Sequence, residues 1–234
     1  MKNNYYDEDK HKYMRPDASC FGDFIYFLID DGSFSSYDTA VELGAGMGRF
    51  STAISTRFAN IILVEPNDVY AALLEEAFPQ GGHLKVVQST AEAFLSARVL
   101  ERAVVVFCFH LMHHLRPAQR VAVYEFVRET GSSAIIVEPN PYNPLILLQI
   151  LLHPDMSVAQ EIQYLTLTPT RYANELAQNG LTVRRFKRLC LLPPPVTRIL
   201  LRILPMRVVA RLEVFNRLLP FLASYQLITF GAAR

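Results

Sequence analysis

Glycines at positions 44, 46 and 48 lie between two acids: Glu42 just before them and Glu65 seventeen residues after the last. Residues of these types at this spacing can hold a small ligand against the backbone. Glycine tolerates positive φ and lets the main chain approach a ligand where a side chain would intrude. The run Ala40–Leu43 reads as a strand, Arg49–Phe58 as a helix, and Ile61–Val64 as a second strand that Glu65 closes. Strand, tight loop, helix and acid-ended strand form the unit that cradles an adenosine-bearing cofactor. The glycine spacing narrows the choice. A dinucleotide loop runs G-x-G-x-x-G and lays a pyrophosphate on a helix N-terminus. Here the last place of that pattern is Arg49, and the glycine comes one residue early.

A second group follows the apolar run Ala103–Phe109: His110, His113 and His114. Histidine titrates near neutrality and can take a proton from a reacting hydroxyl. Capping and packing are the plainer role for His113 and His114. Glu138 opens a proline-rich turn, Glu138-Pro139-Asn140-Pro141-Tyr142-Asn143, that could orient an acceptor or simply stiffen a strand end. No metal site is expected. Adjacent histidines project in different directions, and no acid partner is evident. Cys20, Cys108 and Cys190 have no metal spacing and point to a reducing compartment without disulfides.

The elements that must position these residues alternate regularly. Phe21–Asp31 reads as a helix, followed by the strand, helix and strand around the glycines. Next come a helix over Asp68–Phe78, a strand over Leu84–Gln88 and a short helix near Glu92–Ala97. The fourth strand, Ala103–Phe109, is unbroken in its apolar character, as strands buried on both faces are. Pro117–Thr130 is a helix, Ala134–Val137 a fifth strand, and Arg171–Asn179 a helix stopped by Gly180. The alternation predicts an α/β fold, a doubly wound, mostly parallel sheet with its ligand crevice at the carboxyl ends of strands one to four.

The string Glu42-Leu43-Gly44-Ala45-Gly46-Met47-Gly48 resembles the first motif of the class I S-adenosylmethionine-dependent methyltransferases, in their small-molecule and lipid-type members. The resemblance implies a Rossmann-like sheet of seven strands whose last strand is antiparallel, covering roughly residues 20–139, 169–192 and the last ten. Thr182–Leu192 and Tyr225–Phe230 would be the final strands. It implies one domain over 1–234 with an N-terminal flap and helix at 1–35. Residues 140–168 and 193–222 would be inserted helical cap segments forming a substrate lid. Carried over by position, Glu42 with Gly44 and Gly46 would hold the ammonium end of the cofactor, S-adenosyl-L-methionine. Glu65 would accept from the ribose hydroxyls, with Ala45, Gly48 and Pro66 in the same wall. Thr90, Ala91 and Glu92 would face the adenine, although many members carry aspartate where this chain has Thr90. Phe109 and His110 would line the methionine portion, with His110 nearest the transferring methyl. The implied reaction is in-line methyl transfer, at oxygen, to a small-molecule or lipid-like acceptor, leaving S-adenosyl-L-homocysteine. His110, His113, His114 and Glu138 are the catalytic candidates. Such a reaction needs no nucleophile triad.

The charge distribution says more than the net charge of +1. From Leu181 onward ten basic residues face one acid, Glu213. Arg198, Arg202, Arg207 and Arg211 recur among aliphatic residues on either side of Pro205, which should separate two helices. Three readings stay open for 193–222: a segment lying on an acidic membrane, a lid binding an anionic substrate, and packing helices with solvated arginines. Nucleic acid is not expected as a partner, since no aromatic–basic platform appears. The polar start, Met1–Arg15, is not expected to be a secretory leader, and Leu145–Leu152 is too short to cross a bilayer. A cytoplasmic protein, with peripheral membrane contact under the first reading, is expected. A catalytically silent cofactor-binding scaffold is the rival function, and a nicotinamide oxidoreductase is a weaker one because of the glycine spacing.

Overall fold

β-branched and aromatic runs bounded by turn residues pair here into one seven-stranded sheet. The structure is a computed structural model describing residues 20–78, 82–97, 102–152 and 158–232. The strands are β1 (Thr39–Leu43), β2 (Asn60–Glu65), β3 (Leu84–Gln88), β4 (Val105–Phe109), β5 (Ser133–Pro139), β6 (Leu181–Leu189) and β7 (Tyr225–Ala232). Their spatial order is β3-β2-β1-β4-β5-β7-β6; β7 runs antiparallel to β5 and β6, and every other pair is parallel. The Rossmann-like, mostly parallel sheet expected from the sequence is the one observed. The chain reverses direction across the sheet between β1 and β4, so the loops after these two strands part there and leave a crevice.

Period-two alternation divides the core into two layers. Ala40, Leu63, Phe107 and Val137 face α1 (Phe21–Ile29), α2 (Ser51–Ser55) and α3 (Asp68–Ala77). Val41, Val64, Cys108 and Ile136 face α4 (Ala91–Ser96), α5 (Pro117–Thr130) and α8 (Pro169–Gln178). Every residue of β4 is buried, in keeping with its continuous apolar run.

Between β5 and α8 the chain forms α6 (Pro144–Leu152), α7 (Val158–Glu161) and a 3-10 segment, Ile162–Thr166. Between β6 and β7 it forms α9 (Pro194–Ile203), α10 (Met206–Ala210) and a second 3-10 segment, Arg211–Arg217. Pro205 does separate two helices. The first helix after the glycines is shorter than expected, because residues 49–50 finish the glycine turn and the helix ends at Ser55. β6 stops at Leu189, where Cys190 takes φ 62° and Glu213 accepts from the amides of Cys190 and Leu191 (2.8 and 3.1 Å). The one acid of the basic tail is therefore an internal clamp. Two of the bases are tied to the body as well: Arg185 donates to Ile29 O and Asp31 (both 2.7 Å), and Arg184 to Ser133 (2.7 Å). The start of the expected N-terminal flap lies outside the described residues, and its helix, α1, is observed.

Candidate active site

The loop after β1 is held by backbone geometry. The amides of Gly44 and Ala45 both donate to Val64 O (2.8 and 3.1 Å), which folds the loop over the end of β2. Gly44 and Gly46 take φ of 67° and 59°, and a Cβ on Gly44 would stand 2.7 Å from the Leu111 side chain. Only glycine meets both demands. Gly48 (φ 89°) serves differently from its expected role: a Cβ there would meet Phe78 at 2.7 Å. It lets the loop pack on α3 and does not line the cavity. Gly22 makes a similar close approach, since a Cβ there would stand 2.5 Å from Arg49 O, and this seats α1 against the loop.

Two buried carboxylates face the loop. Glu65 accepts from Gly46 N (2.8 Å) and Asn67 N (3.0 Å), leaving lone pairs for a ligand. Burial raises its pKa, against the pull of those two amides. Glu42 accepts from Ser51 Oγ (2.7 Å), and burial pushes its pKa up to about 8. A carboxylate so poorly solvated is a receptor for a cation.

Across the crevice, β4 delivers His110 in a left-handed conformation, φ 53°, with its amide donating to Val137 O (2.8 Å). A non-glycine residue held there carries backbone strain, a recurring property of functional positions. Its ring lies 4.8 Å from Tyr225 and 5.7 Å from Phe50, and its Nε2 is buried without a hydrogen bond. Burial, and next the charge of Arg49, hold its pKa well below the usual value, so the ring is neutral at pH 7. His113 is in the opposite state. Its Nδ1 donates to Glu138 Oε2 (2.5 Å), and Glu161 Oε2 lies 3.5 Å from Nε2. Burial alone would lower its pKa, but the two carboxylates outweigh burial and raise it to about 9. A ring already protonated is no general base at neutral pH. His114 stacks beside it, 4.0 Å between ring centroids.

Glu138 requires a correction. It was expected in a turn beside the acceptor, but β5 runs on to Pro139 and buries it completely. Its carboxylate accepts from Met112 N (2.7 Å) and His113, and it does not line the cavity. It orients the histidine segment instead. The acid partner that the sequence did not reveal is Glu161, brought to His113 by α7 from almost fifty residues away.

These walls enclose a cavity of about 750 Å³. Glu42, Gly44, Ala45, Gly46, Glu65, Pro66, Thr90, Ala91, Glu92, Phe109, His110, His113 and His114 all line it. Thr90 also caps α4, accepting from Ala93 N (3.1 Å). Sequence reading missed Arg49, Phe50, Tyr70, Leu115, Gln119 and Tyr225 on the same walls, and Ile146, Ile150, Glu161, Pro194 and Arg198 from the caps. Arg49 and Arg198 place their guanidinium groups 4.8 and 5.3 Å from the Phe21 ring centre, so α1 braces both. The arginine directly after the last glycine was the available signal for Arg49.

Residues 41–136 match a family model described as a methyltransferase domain. These residues carry that methyltransferase domain, and the sheet around them has the class I S-adenosylmethionine-dependent methyltransferase fold. No curated protein matches the sequence. Among solved structures, the chain is similar to a SAM-dependent methyltransferase from Archaeoglobus fulgidus (17% identity, TM-score 0.61, 90% of this chain and 92% of that one). It is similar to the mitomycin 7-O-methyltransferase MmcR (14%, TM-score 0.58, 92% and 54%). It is also similar to geranyl diphosphate C-methyltransferase from Streptomyces coelicolor A3(2) (15%, TM-score 0.56, 90% and 76%). At these identities the likeness is one of fold.

The cavity of this methyltransferase domain fits its cofactor. A pyrophosphate would face Glu42 and Glu65, and α2, five residues long, offers a weak helix N-terminus. An ammonium group and a pair of ribose hydroxyls suit those carboxylates.

Proposed function

We propose that this domain methylates a hydroxyl group of an apolar, lipid-like acceptor drawn from an acidic membrane surface, with S-adenosyl-L-methionine as donor. S-adenosyl-L-methionine supplies an activated methyl group on a sulfonium whose displacement leaves neutral S-adenosyl-L-homocysteine. Glu42 binds the ammonium, Arg49 the carboxylate of the same tail, and Glu65 the ribose hydroxyls. Thr90, Ala91 and Glu92 border the adenine. Holding donor and acceptor in line can lower the barrier by roughly 7–11 kcal/mol.

His110 carries the oxygen assignment. It is neutral, strained, and presents a buried Nε2 with no hydrogen bond in the wall after β4. That nitrogen can accept a hydrogen bond from an acceptor hydroxyl and aim its lone pair. Burial and Arg49 make His110 a weak base, so positioning is its larger contribution.

The caps support the acceptor class. Leu152, Ile199, Ile203 and Leu218 are 72, 60, 70 and 74% exposed. They share the surface with exposed Arg202, Arg207, Arg211 and Arg217. Asn140 and Asn143 donate to Ala223 O and Leu222 O (2.8 Å each), fastening the start of α6 to the end of the second cap. Both caps also line the cavity, through Ile150 and Pro194 for example. An apolar, arginine-studded surface on segments that also line the cavity is complementary to an anionic bilayer. No helix among the described residues is long and apolar enough to cross one.

The test is transfer of isotopically labelled methyl to a lipid extract, with the new linkage assigned by NMR. We expect a methyl bound to oxygen, and a loss of about a hundredfold in kcat for His110→Ala at nearly unchanged cofactor affinity. A methyl on carbon or nitrogen, or an unaffected variant, overturns the oxygen assignment.

A further inference from the structure

His113, His114 and Glu161 form a cluster to which the methyl transfer proposed above assigns no step. One ligand atom from each lies within 4.8 Å of the other two. All three residues line the cavity. His113 Nε2 is buried and makes no hydrogen bond, while Glu161 Oε2 stands 3.5 Å away. Ligand atoms around a tetrahedral zinc ion sit about 3.4 Å apart, given bonds of ~2.0–2.1 Å. The His113–Glu161 edge already has that length. The far side of the same imidazole donates to Glu138, which also accepts from Met112 N. A carboxylate on one ring nitrogen, fixing the ring so that the other can ligate, is the usual support of a metal-bound histidine.

We propose that His113 Nε2, a ring nitrogen of His114 and the Glu161 carboxylate bind one divalent, zinc-type cation whose fourth position opens into the cavity. Two imidazoles and one carboxylate suit zinc, cobalt or iron(II) better than magnesium or calcium, which favour all-oxygen shells. Binding displaces the proton from His113 Nε2 and draws His114 inward. Because Glu161 ends α7 while the histidines follow β4, the ion fastens the first cap to the sheet. The fourth position would take an oxygen of the acceptor. This last role rests on the methyl-transfer reading; the metal site itself does not.

The experiment uses the full-length chain, free of affinity-tag histidines and stripped with a chelator. Zinc affinity is measured by competition with a chromophoric chelator, and cobalt(II) absorption reports the coordination geometry. We expect one equivalent bound, with a tetrahedral cobalt spectrum. Glu138→Gln should weaken zinc about 10- to 100-fold, as loss of an outer hydrogen-bond partner does, and Glu161→Gln by more. Circular dichroism checks that the variants fold, and His114→Asn gives a second ligand deletion. Absence of tight binding, or equal zinc affinity in wild type and both ligand variants, overturns the proposal. S-adenosylmethionine binding is titrated separately. Zinc without cofactor binding leaves this site standing and removes the methyl-transfer reading, whereas cofactor without zinc binding does the reverse.

Discussion

On the glycine-loop wall of the cavity, Glu42 and Glu65 are 1 and 6% exposed, tied to Ser51, Gly46 and Asn67. On the cap wall, α9 buries only Thr197, and the segment after it buries Val209 and Asn216. One wall is shaped by strained backbone and charges removed from water. The other is apolar surface left in water beside arginines. A wall built the first way is preorganised for a single polar ligand. Under the proposed reading, a wall built the second way gains its stability from the surface that covers it.

The largest effect should come from the cap. Replacing Arg202, Arg207, Arg211 and Arg217 together by glutamine removes about 1 kcal/mol of attraction per charge near an acidic bilayer. Partitioning onto acidic phospholipid vesicles should fall by about a thousandfold at low salt, with little change on neutral vesicles. The four residues are exposed, so the thermal midpoint should stay within about 2 °C. Equal sedimentation of variant and wild type with acidic vesicles would leave the cap as packing helices with solvated arginines.

Glu65→Ala strikes the opposite wall. Two charge-assisted hydrogen bonds to ribose, at roughly 1.5 kcal/mol each, predict about a hundredfold weaker cofactor binding by calorimetric titration. Vesicle binding should be untouched. An affinity loss below threefold would remove Glu65 from the ribose site.

The same contrast explains what could be read from the sequence. The glycine loop, Glu42 and Glu65 are legible because their demands are local: positive φ at Gly44 and Gly46, and acids at strand ends. The order of the strands follows from alternating apolar periods. The placement of Glu138 was misread because proline is tolerated at a strand end, so β5 runs through Pro139 rather than stopping before it. Glu161 and Arg198 carried no signal, since their positions depend on how the caps fold back over the sheet. The basic tail misled in part. Arg184 and Arg185 bond within the body, which no count of charge separates from Arg202 or Arg207 at the surface.

A titration sharpens the polar wall further. Glu42 has a folded pKa raised to about 8 by burial, above the ordinary carboxylate value of 4.5. Its protonated form therefore favours the folded, ligand-free chain, and that stability, full below about 4.5, is lost as pH rises to about 8. An ammonium ligand needs the ionised form, so cofactor affinity should rise with pH below 8, by at most about tenfold per unit, and then level off. Glu42→Gln should flatten both dependences. A pH-independent affinity in the wild type would mean that Glu42 does not face the ammonium.

The smallest effect separates two glycines of the one loop. Gly48 has φ 89°, and an alanine Cβ would press on Phe78 Cε2 at 2.7 Å and Leu74 Cδ2 at 3.0 Å, away from the cavity. Left-handed strain in a residue with a Cβ costs about 1–2 kcal/mol. In a chain of this size that corresponds to roughly 2–8 °C in thermal midpoint. Gly48→Ala should therefore melt earlier yet bind the cofactor within about twofold of wild type, once measured well below its midpoint. Gly44→Ala carries similar strain, but its Cβ meets Leu111, a cavity residue, so affinity should fall along with stability. If Gly48→Ala instead lost affinity at unchanged stability, the last glycine would belong to the ligand, and the glycines gripping the cofactor would extend two residues beyond Gly46.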